Sequence, residues 1–206
     1  MALGLLSASY MNRKDMPDAQ TTMEQQMKVE EEVYGLASPQ LSWVRMGLGR
    51  LWLEQGEPLK AETIFKQNLN VNEKAYGENS EGYSSGLKSL AYLYYTQKQF
   101  EKVEPLTEKA EKIDQTLYGA EGPQRLGGTT LLCRVYEGLQ QPAKSEPCYS
   151  RLIAMMEKVY GANSPALTAA LTSEAKALRG LGRVPEAEMV EKRLQGLSQP
   201  SAGLNQ

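Results

Sequence analysis

The chain contains no histidine. Its 206 residues therefore lack the usual general base near neutral pH, the commonest metal ligand and any triad of the Ser-His kind. There are two cysteines, Cys133 and Cys148, at neither metal-ligand nor redox-motif spacing. Both are expected to be reduced, buried and small-residue core fillers. No stretch approaches the roughly 20 apolar residues that a membrane-spanning helix needs. The opening MALGLLSASYMN has no basic start and too short an apolar centre for a secretory signal, so a soluble chain is expected, with the cytoplasm favoured. An excess of one charge is missing too. The 23 basic and 25 acidic residues leave a net charge of −2, which gives no bulk reason to expect nucleic acid or an anionic membrane as partner. Neighbouring carboxylates such as Glu30-Glu31-Glu32 point in different directions on a helix and share no site. Gly127-Gly128 follows no strand and precedes no Lys-Ser or Lys-Thr, which argues against a phosphate loop. The expectation is no catalytic residue, no metal and no cofactor.

What the sequence does have is a period. Tyr34-Gly35, Tyr76-Gly77, Tyr118-Gly119 and Tyr160-Gly161 recur every 42 residues. A fixed period of this size marks a stack of units that bury their apolar faces against one another. The register divides residues 1–197 into a truncated unit 1–34 and the units 35–76, 77–118, 119–160 and 161–197, with a flexible tail over 198–206. Residues 1–12 match the second half of a first helix, so Met1 falls inside a repeat and the natural protein is expected to begin upstream.

Aligned on Tyr-Gly, the first helix of each unit carries Leu48, Leu90 and Leu132, then a small column of Gly49, Ala91, Cys133 and Ala175. Next come Leu51, Leu93, Val135 and Ala177, then Trp52, Tyr94, Tyr136 and Leu178. The second helices show Ala19, Ala61, Val103, Ser145 and Ala187 near their starts. Apolar columns follow: Ile64, Leu106, Cys148 and Val190, then Val29, Val71, Ile113 and Met155, and finally Val33, Ala75, Leu117 and Val159. All follow helical spacing, and no run alternates with the period of a half-buried strand. The Gly after each Tyr suits a left-handed helix-closing position, with the Tyr ring covering the next hairpin. Ser38-Pro39 and Ser164-Pro165 read as N-caps. Short polar turns around Gly56, Lys98, Gln140 and Gly182 join the helices of each unit.

The pattern of Leu, small residue, aromatic three later, and Ala opening the partner helix resembles the tetratricopeptide repeat, with Leu48, Gly49, Trp52, Ala61 and Phe65 carrying the match. The period of 42 with Tyr-Gly and a nearby Ser-Pro is more specifically similar to kinesin-light-chain-type repeats. The resemblance implies an all-α fold, a right-handed superhelical solenoid of antiparallel helix pairs whose first helices line a concave groove for a partner peptide. Where that family often carries a groove asparagine, this chain has Gly47, Ser89, Leu131 and Ser173. On such a groove the residue after each small position points inward: Arg50, Tyr92, Arg134 and Lys176. Lys88 and Arg179 lie one turn to either side, while Tyr95 and Trp43 add apolar surface. This is a candidate recognition stripe for an acidic peptide or protein segment, because Arg bonds carboxylates with two parallel donors. The expected function is a non-enzymatic protein-protein interaction module. The alternative is a structural spacer or self-assembly segment of a longer repeat protein, associating through its repeat ends.

Overall fold

A computed structural model describes residues 16–198 of the chain. The helix fragment expected over 1–12, and the expected tail beyond its first residue, lie outside them. Nine α-helices occupy the described residues: α1 (Met16–Tyr34), α2 (Ser42–Glu54), α3 (Pro58–Tyr76), α4 (Glu81–Thr96), α5 (Phe100–Tyr118), α6 (Leu126–Gly138), α7 (Pro142–Tyr160), α8 (Thr168–Gly180) and α9 (Val184–Ser198). No strand occurs among the described residues. The helices fall into two compact units that divide between Gln99 and Phe100, α1–α4 in the first and α5–α9 in the second.

Within each unit the columns behave as helical packing requires. Gly49, Ala91, Cys133 and Ala175 are all buried, as are Leu51, Leu93, Val135 and Ala177. The small column exists because the partner helix comes close. A Cβ on Gly49 would lie 2.2 Å from the Phe65 ring of α3. In the second unit one core gathers Leu132 and Tyr136 of α6, Tyr149, Leu152 and Ile153 of α7, Leu167 just before α8, and Ala170 and Leu171 in its first turn.

Three expectations need correction. First, Cys133 and Cys148 are joined by a disulfide with a Cα–Cα distance of 5.4 Å, and neither is free. The repeat alignment places one sulfur in the small column of α6 and the other in the facing apolar column of α7. That closeness, taken for simple packing in the sequence, is bonding distance.

Second, the last apolar column is not core. Val33, Leu117 and Val159 are 66%, 42% and 46% exposed, and Tyr34, Tyr76 and Tyr160 are more than half exposed. Helix length explains the pattern. The first helices α2 and α6 have 13 residues and their hairpin partners α3 and α7 have 19. Paired at the hairpin turn, α3 and α7 run on past their partners, and the Tyr rings stand on that overhang.

Third, positive-φ caps also sit at the hairpin turns, which the sequence reads only as short polar turns. Gly56, Lys98, Gln140 and Gly182, one period apart, have φ of 76°, 59°, 55° and 73°. The following amides close back onto the carbonyls of Trp52, Tyr94, Tyr136 and Leu178 at 2.7–3.0 Å, the six-residue closure of a Schellman cap. The Gly after each Tyr closes its helix at positive φ as expected, with a different ψ. Gly77 (φ 76°, ψ 171°) and Gly161 (φ 87°, ψ 152°) combine positive φ with extended ψ, a region open to glycine alone. Two of the four hairpin caps are thus occupied by residues that carry a Cβ cost. Lys98→Gly and Gln140→Gly should each raise the denaturation midpoint by the equivalent of about 0.5–1 kcal/mol, whereas Gln97→Gly beside the cap should not. Equal effects at Gln97 and Lys98 would refute the cap assignment.

Ser38, Ser80 and Ser164 do accept backbone N–H bonds at 3.3 Å. Ser38 and Ser164 cap short 3₁₀ turns, Pro39–Leu41 and Pro165–Leu167, that lead into α2 and α8. Ser80 has no Pro after it and caps α4 directly, which is three residues longer than α2.

Candidate functional site

The first unit brings three of the eight expected site residues together. Arg50 projects from α2, and Lys88 and Tyr92 from α4, around a cavity of about 340 Å³. Met46 and the ring of Phe65 form its apolar lining, and Ser85 and Ser89 add hydroxyls. Helical spacing produces this grouping: Met46 and Arg50 are one turn apart on one face of α2, and Ser85, Lys88, Ser89 and Tyr92 line one face of α4. Gly49 contributes indirectly, since its missing side chain lets Phe65 come up beneath Arg50. Arg50 is exposed and no ion pair reaches it among the described residues. Tyr92 is 49% exposed. A cationic rim over an apolar floor suits a ligand segment that presents a carboxylate next to an apolar group. Trp43 is exposed on α2, 54% of its surface reaching solvent, and does not line this cavity; Tyr95 is part-buried and does not line it either.

In the second unit the corresponding positions are Arg134, Tyr149 and Lys176, and here the chemistry is different. The phenol at the place of Phe65 donates from Tyr149 to Glu137 at 2.9 Å. Ser173 donates to the same carboxylate at 3.2 Å, and Lys176 binds it at 2.8 Å. Burial pushes the Glu137 carboxyl up, but the bonds from Lys176, Tyr149 and Ser173 outweigh that and hold it below its ordinary value. Lys176, 72% exposed, is therefore already paired with a carboxylate of its own chain. So is Arg179, with a two-pronged pair to Glu191 of α9 at 2.7 Å on each prong. Arg134 is exposed, without an ion pair among the described residues.

Two arginines that the sequence reading passed over are fully buried. Arg45 of α2 donates to the carbonyls of Ser38, at 3.0 Å, and of Leu36. Burial lowers its guanidinium pKa and the charge of Glu31 works against that. Arg125, preceding α6, donates to the carbonyls of Gly119, at 3.1 Å, and of Ala120, and pairs with Glu111 at 2.9 Å. Both pin the linker between one second helix and the next first helix. A signal was present. Arg45 shares its repeat position with Leu87, Thr129 and Leu171, and Arg125 shares its own with Leu41, Tyr83 and Leu167, all buried. A lone charge in an otherwise buried column marks an internal hydrogen-bonding task.

Among the described residues there is no group of three or more Cys, Asp or Glu placed to hold a metal ion, and no helix long and apolar enough to cross a membrane.

The chain is similar to solved helical-repeat structures over nearly its whole length. The nearly identical TPR-like repeats of a Podosopora anserina protein assigned as a kinesin light chain match at 18% identity and a TM-score of 0.79, covering 95% of this chain and 93% of that one. BtubC (BKLC) from P. vanneervenii matches at 18% identity and a TM-score of 0.83, covering 98% and 85%. MamA matches at 16% identity and a TM-score of 0.64, covering 93% of each. No family model matches the sequence, and no curated protein does. At these identities the likeness establishes the fold: an all-α, tetratricopeptide-like solenoid class built of antiparallel helix pairs.

Proposed function

We propose that this chain is a non-enzymatic protein-protein interaction module that holds a partner peptide or protein segment carrying acidic residues, with the first-helix face of the N-terminal unit as its main contact. The tetratricopeptide-like fold supports an interaction or scaffold role in general. The observation that carries the finer reading is the Arg50 cavity. A cation without an internal partner among the described residues stands over a preformed apolar floor, so binding needs little rearrangement and loses little entropy. In the second unit Arg134, the counterpart of Arg50, likewise has no ion pair among the described residues, but the neighbouring Lys176 is paired with Glu137, a carboxylate that competes with an acidic ligand there.

Selection of a random peptide library on the intact chain tests this. Selected peptides should be enriched in Asp or Glu beside an apolar residue. Arg50→Glu should weaken them roughly tenfold or more, as expected for loss of a charge-assisted bond, and added salt should weaken the wild-type complex. Arg179→Glu should change binding little, because Arg179 is already engaged. Selected peptides without acidic enrichment, or equal losses from the two variants, would overturn the assignment. Concentration-dependent association of the folded chain with itself and no peptide selected would favour the spacer reading.

A further inference from the structure

On the opposite side of the helix pairs, each unit has a second cavity at the same repeat position. In the first unit it is lined by Trp52, Leu59, Lys60, Thr63, Ile64 and Gln67. In the second it has about 480 Å³, and Tyr136, Ala143, Lys144, Pro147, Cys148 and Arg151 stand at those same six positions. One exchange alters the chemistry of the wall. Ile64 is replaced by Cys148, a sulfur bonded to Cys133. Cys133 itself is fully buried, while Cys148 forms part of the cavity wall. Cys148, 6% exposed, is thus the half of the disulfide that borders the cavity, and Cys133 the half that does not.

The rim adds a charge preference. Lys112, Arg125, Lys144 and Arg151 line the cavity against two carboxylates, Glu108 and Glu111. Lys144 is held by Glu104 at 2.5 Å, Arg125 by Glu111 at 2.9 Å, and Arg151 touches the same Glu111 at 3.5 Å. Lys112 is exposed, with no ion pair among the described residues. With Glu104 counted beside Glu108 and Glu111, four cations face three carboxylates, and the surplus of one positive charge, carried by Lys112, favours an anionic visitor.

We propose that this cavity is a thiol-exchange site at which a small anionic thiol opens the Cys133–Cys148 bond by attack on Cys148. The thiolate sulfur forms a bond to Cys148 Sγ as the Sγ–Sγ bond breaks, and Cys133 leaves as a thiolate that takes a proton from water. A second thiolate then attacks the thiol-derived sulfur of the mixed disulfide and releases the Cys148 thiolate, protonated in turn. Two electrons pass from two thiols, now joined as their own disulfide, to the protein. The exchange removes the one covalent staple between α6 and α7 among the described residues. Because Arg134 and Glu137 ride on α6, the redox state of the staple reaches the opposite face of the same helix.

The test uses the intact, oxidised chain without denaturant. It is exposed to glutathione, an anionic thiol, or to cysteamine, a cationic one, at matched thiolate concentration and low salt, then quenched by alkylation and mapped by mass spectrometry. Before any reductant, no free thiol should be found. Glutathione should add at Cys148, roughly tenfold faster than cysteamine as a focused positive rim dictates. Lys112→Glu, a change on an exposed helix face, should narrow that ratio, and so should salt. Two free thiols at the outset, an adduct on Cys133, equal rates for the two reagents, or reduction only after unfolding would each overturn the proposal.

Discussion

Arg125→Ala is expected to lower the stability of the chain by about 3 kcal/mol, the lower end of what breaking a buried ion pair costs. Three interactions disappear together: the pair with Glu111 and the bonds to the carbonyls of Gly119 and Ala120. The larger part of the loss comes from what stays behind. Glu111 is itself buried, and it would keep only the Thr129 hydroxyl at 2.8 Å and a longer contact of 3.5 Å to Arg151. Arg151 is about half exposed and softens the effect, which is why the lower end is chosen. The double replacement Arg125→Met with Glu111→Leu removes both charges and should cost less than Arg125→Ala alone, since no uncompensated carboxylate remains. Guanidinium denaturation followed by circular dichroism reads both. A double variant less stable than the single one would show that the loop carbonyls, and not the carboxylate, dominate.

Gly49→Leu should destabilise by about 1–3 kcal/mol through overpacking. Even the first added carbon would sit 2.2 Å from Cε1 of Phe65 and 2.6 Å from its Cζ. Phe65 is 1% exposed, so its ring is held by packing on nearly every side. Either α2 and α3 move apart or the ring leaves its rotamer well, and both deform the floor of the Arg50 cavity. Loss of peptide binding should therefore accompany the fall in denaturation midpoint. Lys112→Leu, a comparable gain of apolar bulk on an exposed helix position, should leave the midpoint within about 0.5 kcal/mol of wild type. Equal destabilisation by the two would mean that the small column does not mark a helix crossing.

The fold was legible because a stack of helix pairs repeats its packing and therefore its residues. The linker glycines show why the register could be read there and not at the hairpins. Positive φ with extended ψ at Gly77 and Gly161 excludes side chains outright, whereas the left-handed hairpin cap admits Lys98 and Gln140 at a modest cost. The same averaging hid what does not repeat. Arg45 and Arg125 each occur once at their positions, so an alignment that looks for recurrence passes over them. Cys133 and Cys148 each fitted a column by size, and size is silent about bonding. The basic stripe was legible as positions but not as available charge. Arg50, Arg134 and Lys176 share a repeat position, yet a carboxylate three residues beyond Arg134, Glu137, consumes the charge of Lys176 from the neighbouring helix. Leu53 stands at that place in the first unit and Tyr92 at the place of Lys176, so the first unit has neither the carboxylate nor the lysine it pairs with.

The unequal helix lengths have a consequence for how the molecule behaves in crowded solution. The six extra residues of α3 and of α7 amount to about 9 Å of helix beyond the length of the shorter partner, and Tyr76, Val159 and Tyr160 lie near those ends, largely exposed. The ends of these two helices thus present an apolar fringe of rings and branched side chains to solvent. Kosmotropic salt drives such groups together while it weakens attraction to a bare guanidinium. Fringe contacts and Arg50 contacts consequently answer ionic strength with opposite signs. Sulfate titration distinguishes the two surfaces by the direction of the response alone, before any contact is mapped.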